Sequence, residues 1–205
     1  MDKVTVIAVT KTQPPEVVRE DYASGLTIVG ENRVQEAVEK AASLTDLPLE
    51  WHLIGPLQNN KTRIVAEYFD WVQSLDALKT AQRLSAQRPA DLPDLQICIQ
   101  VNVDGAATKS GVAPQDVPDL ALAIQALPRL RLRGLMSIPN PQDSLLQTLA
   151  LHARVHDLLH KLNQHPAFAA LPLDTLSMGM SGDMHEAIAA GSTMVRIGTA
   201  IFGAR

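Results

Sequence analysis

Val4-Thr5-Val6-Ile7-Ala8-Val9 is a short run of mostly β-branched residues that breaks at Thr10-Lys11-Thr12 and gives way to Pro14-Pro15. Such a run is too short for a helix and reads as a buried strand. The prolines behind it suit a first helical turn and predict a helix over Pro14–Ala23. Thr27-Ile28-Val29 then repeats the strand signal. This strand–helix–strand unit recurs to the end of the chain. Further strands are expected at Trp51–Ile54, Trp71–Ser74, Gln96–Asn102, Leu132–Met136, Thr175–Met178 and Met194–Ile197. Amphipathic stretches fill the gaps: Glu31–Ala42, Asn59–Tyr68, Ala77–Gln87 behind a capping Asp76, Gln115–Ala126 opened by Pro114, and Asp143–Asn163. Asp183 and Glu186 have the spacing of a capping box for a helix through Ala189.

Strict alternation of strand and helix implies a parallel sheet, and eight strands allow it to close. The expectation is an α/β fold, a (β/α)8 barrel forming one domain over residues 1–205. An open doubly wound sheet satisfies the alternation as well. Seven helical stretches for eight strands leave the seam between the last and first strands without its cover. Arg88–Pro93, Pro139–Pro141 and Pro166–Pro172 read as surface loops.

Of the 205 residues 46% are hydrophobic and 20% charged, with a net charge of −4. No basic stripe suggests nucleic acid or an anionic membrane as a partner. No apolar run approaches a membrane span, and Met1-Asp2-Lys3 leads into the first strand with no room for a signal peptide. Cys98 is the one cysteine, which excludes an internal disulfide and fits a reducing, cytoplasmic setting. Within the apolar run around it, it reads as a small buried hydrophobe. Trp51 and Trp71 read as barrel packing.

In a parallel barrel, functional groups gather where strands end. Lys11 follows the first strand. There a partly desolvated amine among other cations can attack an aldehyde, although an isolated lysine more often lies on the surface. Ser177–Asp183 and Arg196-Ile197-Gly198-Thr199 follow the last two strands. Glycine and hydroxyl residues at that place suit a phosphate. Arg196, between Val195 and Ile197, needs partners for its donors, whether a ring nitrogen or a structural carboxylate. His152, His156 and His160 share a helix face at zinc-binding spacing, but without companion ligands they read as a solvated face. Asn32, His52, Gln58, Asn60 and Lys61 form a polar set near strand ends to which spacing assigns no roles.

Four segments together resemble the pyridoxal phosphate homeostasis protein family, single-domain relatives of the alanine racemase barrel. They are Val6–Thr12, Gly30–Glu36, Trp51-His52-Leu53-Ile54-Gly55-Pro56-Leu57-Gln58-Asn59-Asn60-Lys61, and Leu176–Gly203. The resemblance implies the alanine-racemase type of barrel with pyridoxal 5′-phosphate held as an internal aldimine on Lys11. By the same resemblance Ser181, Gly198 and Thr199 hold the phosphate, Arg196 faces the pyridine nitrogen, and Asn32 lines the cofactor. Met136 and His52 match residues of the surrounding pocket. A monomer that carries and buffers the cofactor, with cofactor-requiring apoenzymes as recipients and no turnover of its own, is then expected. A racemase or lyase using the same lysine, and an aldolase without cofactor, are the alternatives. The chain departs from the family in showing no helix before the first strand, in Gly182 where aspartate is common, and in Leu53 where a larger side chain is usual.

Overall fold

The computed structural model describes residues 4–106 and 110–203; Met1-Asp2-Lys3 and Arg205 lie outside them. Its eight strands are β1 (Thr5–Val9), β2 (Ile28–Glu31), β3 (Glu50–Leu53), β4 (Trp71–Leu75), β5 (Leu95–Val101), β6 (Leu130–Ser137), β7 (Thr175–Met180) and β8 (Met194–Ile197). They follow one another in chain order around a closed barrel, and every pairing is parallel. Closure is made by β8 on β1, with Thr5 opposite Met194 and Ala8 opposite Ile197. This excludes the open sheet.

The helices are α1 (Pro15–Ala23), α2 (Val34–Ala42), α3 (Thr62–Tyr68), α4 (Leu78–Gln87), α5 (Val117–Gln125), α6 (Leu145–Asn163), α7 (Met184–Ala189) and α8 (Thr199–Phe202). The expected count of seven is corrected by α8, a single turn after β8. Several boundaries also move. Glu31 ends β2 instead of opening a helix, because its buried carboxylate is engaged from two sides. Asp76 makes no capping bond to α4, whose N-cap residue is Ala77, with no side-chain cap. The α6 cap is Ser144, which accepts the Gln147 amide. Arg88 is no surface-loop residue. It is buried and donates to the carbonyls of Ala66, Phe69 and Pro93, closing the end of α4 on its neighbours.

The larger core lies between strands and helices, around Phe69, Phe168, Ile97, Ile99, Leu132 and Leu135. A smaller cluster fills the barrel axis: Ile7, Trp71, Cys98, Met136 and Met194. Because side chains alternate across a strand, residues two apart share the inward face and stack along the axis. On β3 these are Glu50 and His52, with Ile54 following, and on β1 Thr5, Ile7 and Val9. Cys98 is buried as expected, its place being the axial layer, and burial pushes its thiol up to about 12. No helix among the described residues is long and apolar enough to cross a membrane.

Candidate functional site

A cavity of about 420 Å³ opens at the C-terminal ends of the strands. Lys11, Asn32, Ser181, Arg196, Gly198 and Thr199 line it, together with Val9, Ile54, Ile138, Met180 and Gly182. Its size falls within the usual range for small-molecule sites. The apolar walls are not among the site residues that the sequence suggests. Strand-end position on an inward face was the available signal for Val9, Ile54 and Ile138.

His52 and Met136, expected around the cofactor, are not among the residues that line this cavity. Each is fully buried in the axial layer. Each lies two residues before a wall residue on the same inward face, His52 before Ile54 and Met136 before Ile138. One such step is about 7 Å of strand. Sequence alternation identifies the inward face but not the depth at which a ligand stops.

Lys11 sits just beyond β1, and its segment is held from α2. Lys40 Nζ donates to Glu31 Oε1 at 2.5 Å and to the Thr10 carbonyl at 2.7 Å. Thr10 Oγ1 donates to the same carboxylate oxygen at 2.6 Å, and the Thr12 amide donates to Glu36. Thr12 adopts φ 65°, a left-handed conformation costly for a threonine, so these bonds hold a turn the chain does not favour by itself. Burial raises the Glu31 pKa, against the opposing bonds from Lys40 and Thr10. Asn32 is placed by a close backbone crossing: a Cβ on Gly55 would stand 2.2 Å from the Asn32 carbonyl oxygen, so only glycine fits there.

Two loops meet at the other side of the cavity. Ser181 Oγ accepts the Ala200 amide at 3.4 Å, joining the turn after β7 to the start of α8. Asp183 shapes that turn. Its Oδ1 accepts the Met180 amide at 2.7 Å and its Oδ2 pairs with His152 Nε2 at 3.0 Å. The capping box with Glu186 is therefore not formed, because the Asp183 carboxylate is already taken. His152 is completely buried, which corrects the solvated-face reading for that residue; His156 and His160 are exposed. Burial would raise the Asp183 pKa, but the bonds from His152 and the Met180 amide prevail and hold it below the ordinary carboxylate range. No group of His, Cys, Asp or Glu among the described residues is arranged to hold a metal.

Arg196 is buried, yet among the described residues no carboxylate touches it. Its Nη1 donates to the Ser177 carbonyl and hydroxyl, both at 2.7 Å, and its Nη2 to the Ser137 carbonyl at 2.8 Å. Burial pushes the guanidinium pKa down to about 10, with Asp183 opposing at a distance. Among the described residues Arg196 makes no structural ion pair, and it lines a wall of the cavity. One amine, one guanidinium, two hydroxyls and the amides at a short helix start thus converge on a half-apolar space. That donor set fits a phosphorylated aromatic aldehyde.

Comparisons with known proteins bear on this geometry. Residues 1–205 match the family described as alanine racemase, N-terminal domain. A Pseudomonas aeruginosa protein named pyridoxal phosphate homeostasis protein is 58% identical over 202 residues, spanning 98% of this chain and 85% of the relative. The structure of PipY of Synechococcus elongatus with pyridoxal phosphate bound superposes with a TM-score of 0.89 at 40% identity, covering 99% of this chain and 94% of PipY. Without the cofactor PipY gives 0.90 at 41% identity, covering 98% and 93%.

Proposed function

The chain belongs to the alanine racemase N-terminal domain family, among its pyridoxal phosphate homeostasis proteins, and we propose that it binds pyridoxal 5′-phosphate in the upper cavity to carry and buffer it. The observation that carries this reading is the convergence of Lys11, Arg196, Ser181 and Thr199 on one cavity. Ser181, Gly198 and Thr199 hold the phosphate, Asn32 lines the ring, and Lys11 is the covalent anchor. When bound, the cofactor supplies an aldehyde that reacts with a primary amine. His52 and Met136 contribute from beneath the walls.

The protein turns over no substrate of its own in this reading. A buried guanidinium beside a pyridine nitrogen disfavours its protonation and so weakens the ring as an electron sink. The protein works as a monomer in the cytoplasm and gives the cofactor up to apoenzymes that need it.

The test is the visible spectrum of protein mixed with pyridoxal 5′-phosphate. Wild type should show the absorption of a lysine-linked cofactor, and Lys11→Ala should lose it. Borohydride reduction followed by peptide mass analysis should place the added mass on Lys11. A labelled peptide elsewhere, or equal spectra for both proteins, refutes the assignment. Sustained deuterium exchange at Cα across a panel of amino acids would instead favour the racemase or lyase.

A further inference from the structure

A line of polar side chains crosses the apolar interior of the barrel. Arg196 Nη1 donates to Ser177 Oγ at 2.7 Å, and Ser177 Oγ donates to Gln73 Oε1 at 2.6 Å. Gln73 Nε2 donates to His52 Nδ1 at 2.7 Å, and His52 Nε2 donates to Glu50 Oε1 at 2.7 Å. Arg196, Ser177, Gln73 and His52 are all buried, His52 stacking on Trp71 with ring centroids 5.0 Å apart. The line ends at Glu50, whose side chain is 42% exposed. Glu50 lies at the lower mouth of the barrel, where the N-terminal ends of the strands surround a second cavity with Thr5, Asp94, Gln96 and Arg133.

The chemistry of the two ends dictates everything between them. A guanidinium can only donate and an ionised carboxylate can only accept. Ser177 therefore receives from Arg196 and spends its one proton on Gln73. That fixes the Gln73 amide with its oxygen toward Ser177 and its NH₂ toward His52. His52 must then accept at Nδ1 and carry its proton at Nε2, the tautomer that serves Glu50. Every bond runs in the same sense, from the upper cavity to the lower mouth. Burial lowers the His52 pKa against the raising effect of Glu50, which agrees with a neutral ring.

Barrel interiors are ordinarily filled with branched aliphatic side chains. A half-satisfied polar line there is worse than an apolar one, so this arrangement needs each member to hold. We propose that Gln73 and His52 are positioning residues for Arg196, and that Glu50 at the lower mouth sets the sense of the line and thereby the hydrogen bonding of the cation that lines the upper cavity. The proposal rests on the reading of that cavity as the cofactor site. It also gives His52 a part in the site although it does not reach the cavity wall.

The test uses the exposed end of the line, where folding is least at risk. Glu50→Lys places a donor at both ends, so some bond between them must fail. Two readouts apply: the ¹H–¹⁵N guanidinium signals of Arg196 in ligand-free protein, and the affinity and absorption maximum for added pyridoxal 5′-phosphate. Glu50→Lys is expected to move the Arg196 signals, shift the absorption maximum and weaken affinity about tenfold, the scale of one lost buried hydrogen bond. Glu50→Gln keeps an acceptor and should restore wild-type values. Asp94→Lys makes the same charge change at the same mouth, outside the line, and should leave both readouts unchanged. Gln73→Met, nearly isosteric, should act like Glu50→Lys from the middle of the line. Unmoved Arg196 signals in Glu50→Lys, or an equal response in Asp94→Lys, overturns the proposal. If wild type fails to bind the cofactor, the functional reading falls, and the ligand-free signals still decide whether the line acts on Arg196.

Discussion

Asp183 stands at the N-cap position of α7, but its side chain makes no cap bond. Its distance from Glu186 suggested a helix cap, whereas the carboxylate shapes the turn that presents Ser181. Its folded pKa lies below the ordinary value of 3.8, so the unfolded chain binds more protons in that interval and stability rises with pH there. The contribution is present in full above the ordinary value and is lost as pH falls through the folded one. Urea unfolding followed across acidic pH should therefore show a shallower acid loss in Asp183→Asn than in wild type. Parallel curves would mean that the carboxylate contributes no acid dependence.

Between elements, the decisive contacts are close backbone crossings and one buried ion pair. A Cβ on Gly134 would lie 1.8 Å from the Thr175 carbonyl oxygen, on the β6–β7 seam. Gly134→Ala should cost about 3 kcal/mol or more in urea denaturation, since backbone cannot give way as a side chain can. Gly182→Ala, with nothing within 4 Å, should change stability by less than about 0.5 kcal/mol. Lys40 reaches from α2 to the buried Glu31 and the end of β1. Lys40→Met leaves that carboxylate buried without its cation, and a loss of about 3–5 kcal/mol is expected in the same measurement. In the sequence pattern Glu31 stands at the head of the amphipathic stretch Glu31–Ala42. Its actual place at the end of β2 depends on Lys40 and Thr10, which are close only once the chain has folded.

At the scale of the whole molecule, the closed sheet leaves no edge strand from which unfolding can begin. Trp51 and Trp71 report on the barrel wall and the α-helices on its cover, so tryptophan fluorescence and far-ultraviolet circular dichroism should give coincident urea midpoints. Separated midpoints would show that the cover melts independently of the barrel. The alternating pattern of β-branched runs and amphipathic stretches determined the strand count, the parallel sheet and the strand-end list that includes Lys11, Asn32, Ser181, Arg196, Gly198 and Thr199. These are local properties, written in periodicity and turn chemistry, and so are legible residue by residue. Closure, depth and partners were decided only by the tertiary structure. Alternation places His52, Ile54, Met136 and Ile138 on inward faces alike, but which of them meets a ligand depends on how far the axial side chains fill the barrel. The burial of His152 against Asp183, and the one-way line from Arg196 to Glu50, depend on groups from different strands and helices meeting in space. A hydrogen bond is a relation between two places, and the sequence states only one of them at a time.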